Sequence, residues 1–329
     1  MKASDVRCVA LSGGIGGAKL AVGLSKVLAP GELLVVANTG DDFEHLGLNV
    51  CPDIDTLTYT LAGINDPETG WGRAGETWNF MAALEAIGGE TWFRLGDGDL
   101  ALHVERTRRL ASGESLEAIT ADVARQLGVE HRIVPMSDDR VRTIVETADG
   151  DLAFQEYFVR QGCGPRVSGF RFDGAVAARP SPALLDALAR PALEAVVICP
   201  SNPFISIDPI VALPALREAL GACHAPVVAI SPIVGGAALK GPTAKIMGEL
   251  GLPVTAAAVA GHYGALLDGF LVDATDVTDA SNEPAIEVAP AHVVMDSLED
   301  RVRLAAEALD FARRLARQTA PVKRRGRLI

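Results

Sequence analysis

The strongest constraint on this chain is Ser12-Gly13-Gly14-Ile15-Gly16-Gly17-Ala18-Lys19, where an apolar run from Val6 to Leu11 meets a helical pattern. Four glycines at a strand–helix junction let the backbone approach a ligand closely. The helix start adds N–H groups without partners and the positive end of a dipole. Such a junction suits a phosphate; a tight turn with no ligand is the alternative reading. The dinucleotide fingerprint G-x-G-x-x-G is not met, because Lys19 stands where its third glycine belongs. No G-K-[S/T] follows, so this is not a P-loop either.

With 329 residues, 49% hydrophobic and only 5% aromatic, the chain suits a parallel sheet covered by helices better than a β-sandwich. Val6–Leu11 and Leu33–Ala37 predict buried strands around a helix near Ala18–Leu28, a βαβ opening. Helical patterns follow at Asp55–Ala62, Thr77–Ile87, Leu100–Ser112 and Leu116–Leu127. Val141–Thr147 and Leu152–Val159 flank Ala148-Asp149-Gly150-Asp151 and predict an antiparallel hairpin. Strands return at Ala195–Cys199, Pro226–Ile230 and near Val254 and Leu271, before an amphipathic helix over Leu298–Leu315. The fold class expected is α/β: a Rossmann-like, three-layer parallel sheet core from residues 1–95 and 190–320, with an α+β insertion at 96–189. Residues 321–329 read as a basic, solvated tail.

A net charge of −12 argues against nonspecific nucleic-acid binding, yet leaves room for one phosphorylated ligand held by local N–H groups, lysines or a divalent metal. Cys8, Cys51, Cys163, Cys199 and Cys223 are scattered without a C-x-x-C pair, which predicts reduced thiols and no zinc site. With no signal-peptide pattern and no apolar run of spanning length, the expectation is a soluble cytoplasmic protein without a membrane partner.

Ligands of open parallel sheets bind beyond the carboxyl ends of the strands, so the loops there are expected to converge. After the second strand come Asn38-Thr39-Gly40-Asp41-Asp42 and Pro52-Asp53-Ile54-Asp55-Thr56. Carboxylates facing a phosphate site make sense with Mg²⁺ between them, which makes Asp41, Asp53 and Asp55 the candidate metal ligands. Helix capping by Asp53 and Asp55, and turn formation by Asp41 and Asp42, are the alternatives. Arg94 precedes Gly96-Asp97-Gly98-Asp99 and could fork onto a phosphate or carboxylate. Pro135-Met136-Ser137-Asp138-Asp139 could bring a hydroxyl and two carboxylates to the site, or be an ordinary polar loop. Ser201, Asn202 and Pro203 follow a core strand, where Ser and Asn can bond a purine edge or a phosphate and proline stiffens the loop. Ser231 and Gly235, with Lys240 beyond, supply further N–H groups and a cation. His45 is expected to line the cleft, and Trp71, Trp78 and Trp92 could form a platform for a flat heteroaromatic ligand or simply pack in the core.

Together, L-S-G-G-x-G-G-A-K-L, N-T-G-D-D, P-D-I-D-T, R-L-G-D, P-M-S-D-D, S-N-P-x-x-S-I-x-P-I and S-P-I-V-G-G, in that order from Val9 to Val272, resemble the 2-phospho-L-lactate transferase family of coenzyme F420 biosynthesis. The resemblance implies a Rossmann-like homodimer and Mg²⁺. It also implies transfer of a phospholactyl-type group from its guanosine diphosphate ester to the ribityl hydroxyl of the deazaflavin Fo, with release of GMP. For bacterial members the resemblance also admits a donor that carries phosphoenolpyruvate in place of phospholactate, giving a dehydro product. The resemblance places Asp55 and Arg94 at Fo, as the expected catalytic pair. It places Gly13, Gly14, Gly16, Gly17 and Lys19 of the first turn, and Ser201, Asn202 and Pro203, on the nucleotide side. Gly98 departs from the basic residue that many relatives carry there. Two other readings compete: a non-catalytic nucleotide-sugar-binding regulator resembling gluconeogenesis factor, and a nicotinamide dehydrogenase, which lacks the third glycine.

Overall fold

Most core strands are short, continuous apolar runs, the composition of strands buried on both faces. The structure is a computed structural model and describes residues 6–239, 241–281 and 286–318. Lys240 and the expected tail at 321–329 lie outside the described residues.

Strand β1 (Cys8–Ser12) leads into helix α1 (Gly14–Val27), and β2 (Leu33–Ala37) follows. A hairpin, β3 (Phe43–His45) and β4 (Leu48–Val50), precedes α2 (Pro52–Ala62), α3 (Asn79–Ala86), α4 (Asp97–Ala111) and α5 (Leu116–Gln126). Next come β5 (Arg132–Pro135), then β6 (Arg142–Thr147), β7 (Leu152–Ala153) and β8 (Val167–Asp173). The later part runs α6 (Pro182–Leu188), β9 (Ala195–Ile198), α7 (Asp208–Val211), α8 (Pro214–Ala222) and β10 (Val227–Ile230). A small hairpin, β11 (Ile233–Val234) and β12 (Ala237–Ala238), comes before α9 (Thr243–Glu249), α10 (Ala256–Tyr263) and β13 (Gly269–Val272). The last elements are α11 (Val277–Ala280), β14 (Glu287–Pro290) and α12 (Leu298–Gln318).

Seven strands form one parallel sheet in the order β14-β13-β10-β9-β1-β2-β5. The chain builds outward from β1 to β2 and β5, then returns to β9 on the other side. The β1/β9 boundary is therefore the switch point where such sheets open a crevice. Alternation along β1 divides the core. Cys8 and Ala10 face α1, α2 and α12, whereas Val9 and Leu11 face α6, α8 and the strands β6 and β8. This is the three-layer α/β fold expected.

The middle differs from expectation in two places. Arg132–Pro135, read as part of the insertion, is the edge strand of the main sheet, paired with β2. Its four residues carry only Ile133 and Val134 as an apolar signal. The predicted strand Leu152–Val159 ends at Ala153 and becomes a π-helical turn over Glu156–Arg160, because Phe154 and Tyr157 bury themselves at helical spacing. The long partner of β6 is β8. Near Val254 the chain forms no strand; Thr255 instead caps α10 by accepting a hydrogen bond from the Ala258 N–H. Among the described residues no helix is long and apolar enough to cross a membrane, and all five cysteines are free thiols.

Candidate active site

The loops beyond β1, β2 and β9 do converge. Gly14 opens α1 at φ +65°, a conformation that favours glycine. A side chain at Gly16 would stand 2.5 Å from the Pro200 carbonyl oxygen, so only glycine lets the two loops meet. Ser201 staples the same contact: its hydroxyl donates to the Gly13 carbonyl at 2.7 Å and accepts from the Gly13 N–H at 3.3 Å. Gly17 lies against the hydroxyls of Ser12 and Ser201.

Asp53 takes the anion seat of this turn. Its Oδ1 accepts the Gly14 N–H at 2.7 Å, and its Oδ2 accepts from Asn38 Nδ2 at 3.0 Å. Asn38 also donates to the Ile205 carbonyl and accepts from the Gly40 N–H, so one amide joins three loops. The helix start thus spends the Gly14 N–H on a protein carboxylate. The N–H groups of Ile15 and Gly16 still lack carbonyl partners within the helix. Lys19 donates to the Met295 carbonyl at 2.8 Å.

The carboxylates here are under-compensated. Burial pushes Asp53 up to about 6, against hydrogen bonds from Gly14 and Asn38 that pull the other way. Burial, and then the Asp53 charge, hold Asp41 well above the ordinary carboxylate range. Burial raises Asp42 to about 7, opposed by the Arg142 charge. Asp41 Oδ1, Asp42 Oδ1, Thr39 Oγ1 and Asn202 Nδ2 are buried without a hydrogen-bond partner. Buried polar atoms are usually paired, and such a concentration at a strand-end crevice marks where a ligand would bind. The hard oxygens of Asp41 and Asp53, carrying like charges, are of the kind Mg²⁺ binds, while the trio of possible ligand atoms within 4.8 Å of one another among the described residues is Asp55, Asp99 and His103.

Asp55, two residues from Asp53, is in a different environment. Both of its oxygens accept from the Arg106 guanidinium, Oδ2 from Nη1 at 3.1 Å and Oδ1 from Nη2. His103 Nδ1 lies 3.7 Å from Asp55 Oδ2, and His103 Nε2 lies 3.2 Å from Asp99 Oδ2. Tyr59 donates to Asp99 Oδ1 at 2.6 Å. Burial raises Asp55, and the Arg106 and His103 charges oppose that rise. Arg94 is exposed and stacks its guanidinium on Trp78, 4.1 Å from the ring centroid.

The remaining expected residues serve the loops themselves. Asn202 Oδ1 accepts from the Phe204 and Ile205 N–H groups, starting a π-helical turn at Pro203. Ser231 closes its own turn onto Ile233, and the Gly235 N–H is taken by Asp276. Ser137, Asp138 and Asp139 tie their loop to Arg179 and Glu117. His45 is buried among Phe43, Trp92 and Phe93. Trp71 and Trp78 are exposed, so these two do not pack in the core, the alternative expected of them.

Several contributors escaped sequence reasoning. Thr143 and Gln155 reach in from the β6–β8 region: the Thr143 N–H donates to the Gly40 carbonyl at 2.7 Å, and Gln155 Nε2 to the Asp41 carbonyl at 3.1 Å. The signal for Asp99, His103 and Arg106 was present as D-x-x-x-H-x-x-R, which places all three on one face of a helix.

The sequence profile of the family described as 2-phospho-L-lactate transferase CofD matches residues 8–310. This chain belongs to that family. It is 41% identical over 316 residues to the phosphoenolpyruvate transferase of Kitasatospora aureofaciens, spanning 93% of this chain and 98% of that one. It is 38% identical over 315 residues to the 2-phospho-L-lactate transferase of Methanopyrus kandleri, spanning 94% and 99%. Among solved structures, a UPF0052 family member from Bacillus halodurans shares the fold, with a TM-score of 0.59 and 15% identity over 94% of this chain and 99% of that one.

Proposed function

We propose that this CofD-type transferase moves a phospholactyl-type group, phospholactate or phosphoenolpyruvate, from its guanosine diphosphate ester to the ribityl hydroxyl of Fo. The products are F420-0 or dehydro-F420-0, and GMP. The observation that carries the proposal is the meeting of the first turn, the Asp41 and Asp53 loops and the Ser201–Pro203 loop at the β1/β9 boundary, ringed by buried polar atoms without partners. Family membership favours this reading over the regulator and the dehydrogenase.

In the proposed reaction the Fo hydroxyl oxygen bonds to the phosphorus bearing the lactyl or enolpyruvyl group. The bond from that phosphorus to the oxygen bridging it to GMP breaks, and GMP departs with its electron pair. The protein's share of such a displacement is placement and charge stabilisation. Ile15 and Gly16 N–H groups, with Asn202 Nδ2, are suited to phosphate or guanosine oxygens. Asp41 and Asp53 would hold Mg²⁺, which supplies charge neutralisation for the diphosphate when bound. Asp55, saturated by Arg106 on one side of each oxygen, keeps a lone pair on each for the acceptor hydroxyl and takes its proton. Arg94 on Trp78 orients the acceptor from the surface. The proposal includes a cytoplasmic homodimer acting on small molecules only.

The test is mass spectrometry of reactions holding the protein, Fo, Mg²⁺ and each guanylated donor in turn. The expected result is GMP together with one F420-0-type product. Absence of any Fo adduct from every donor overturns the proposal.

A further inference from the structure

We propose that Arg106 is a positioning residue for the transfer reaction, fixing the orientation of the Asp55 carboxylate toward the acceptor hydroxyl. This rests on the placement of Asp55 in the reading above and extends it to a residue outside every motif that led there.

The argument begins with burial. Arg106 is 2% exposed, His103 1% and Asp55 5%, an unusual depth for ionisable side chains. Asp99, His103 and Arg106 repeat along one face of α4, while Asp55 and Tyr59 repeat along the facing side of α2. The two faces interlock as Tyr59–Asp99–His103 and Asp55–Arg106. Ion pairs at this depth are weak sources of stability, since apolar residues of similar volume join helices as well or better. Elsewhere α2 buries Ile54 and Leu57 in the ordinary apolar way. The polar ladder therefore stands where α2 carries the acidic motif, and orientation of that motif is what it supplies.

The guanidinium is held on three sides. Asp55 takes both terminal nitrogens, the Asn49 carbonyl in β4 accepts from Nη1 at 3.3 Å, and His103 Nδ1 lies 3.4 Å from the same nitrogen. Asp99 Oδ2 lies 3.2 Å from His103 Nε2, and Tyr59 holds Asp99 in turn. A fork gripped this way sets both carboxylate oxygens at once, which a single ammonium cannot do. It also leaves Arg106 no reach toward a substrate, so it acts only through Asp55.

Steady-state kinetics of wild type, Arg106→Lys and Arg106→Ala, with unfolding midpoints alongside, test the proposal. The Lys variant keeps the charge and loses the fork. Its kcat is expected to fall about 100-fold with KM for Fo and donor held within about threefold, the signature of a misplaced group. Arg106→Ala is expected to lose about 1000-fold, with added guanidinium restoring at least about tenfold. A kcat within about threefold of wild type in either folded variant overturns the proposal. So does a loss carried by KM, or a folded Ala variant that guanidinium does not rescue. Truncation leaves Asp55 buried and uncompensated, so if Arg106→Ala does not fold the Lys variant decides. If neither folds, the pair is structural and the proposal is wrong. A wild-type protein that forms no product instead fails the transferase reading itself, and the inference falls with it.

Discussion

Asp53 and Asp55 sit two residues apart in the first turn of α2, equally buried, yet they are balanced in opposite ways. Asp53 is met only by neutral donors, the Gly14 N–H and the Asn38 amide, with Asp41 repelling it from the next loop. Asp55 is met by a full positive charge from Arg106. One half of the site leaves negative charge open, as a crevice awaiting a cation would. The other half has its counter-charge built into the chain. The difference teaches that burial alone does not assign a role to a carboxylate; the charge state of its partners does.

The largest effect that would break this comparison comes from truncating each acid. Asp55→Ala strands Arg106 without a counter-charge and is expected to cost about 3–5 kcal/mol in denaturant unfolding. Asp53→Asn should cost far less, since it keeps a polar group against neutral donors and relieves repulsion with Asp41. Equal losses at both positions would show that the two halves are balanced alike. Next, Gly16→Ala drives a methyl group into the Pro200 carbonyl, and overpacking of that kind costs about 1–3 kcal/mol, readable in the same unfolding curves.

A pH titration sharpens the contrast. Asp53 at about 6 and Asp42 at about 7 bind protons more tightly folded than unfolded. Their contribution to stability is therefore full below the ordinary carboxylate range and is lost as pH rises through 6 and 7. Metal-free protein should gain on the order of 2 kcal/mol between pH 8 and pH 5.5, and Mg²⁺ at pH 8 should recover part of it. A flat profile, with or without Mg²⁺, would remove the case for an open negative charge. The smallest effect is expected from Lys19→Met, about 0.5–1.5 kcal/mol for the bond to the Met295 carbonyl. If that variant abolished donor binding while leaving stability intact, the expected place of Lys19 on the nucleotide side would hold.

Much of the frame was legible because β1, β2, β9 and β10 are short apolar runs bounded by turn residues, although the apolar stretch beyond Val254 imitated them and is helical. Strand β5 was hidden by brevity: Arg132 and Pro135 bracket two apolar residues, and only the exposed flank of β2 explains why they pair. The helical turn after β7 was misread because Leu152, Phe154 and Phe158 fit strand alternation as well as helical spacing. At the site, glycines, prolines and acids clustered after strands announced themselves. His103 and Arg106 did not, because their partners lie about fifty residues back on α2 and α4 otherwise looks like a charged surface helix. Lys19 and Ser231 were legible as polar residues near a crevice, but which way each side chain turns depends on Met295 and Ile233, whose positions only the folded chain supplies.

Asn38 carries a last consequence. One carboxamide rivets the acidic turn before α2, the backbone of the segment after β9 and its own turn at Gly40, so the three cannot drift independently. Whatever settles on the segment after β9 pulls on the acidic turn through that rivet, giving the cleft the mechanics of a single hinged plate rather than of separate fingers.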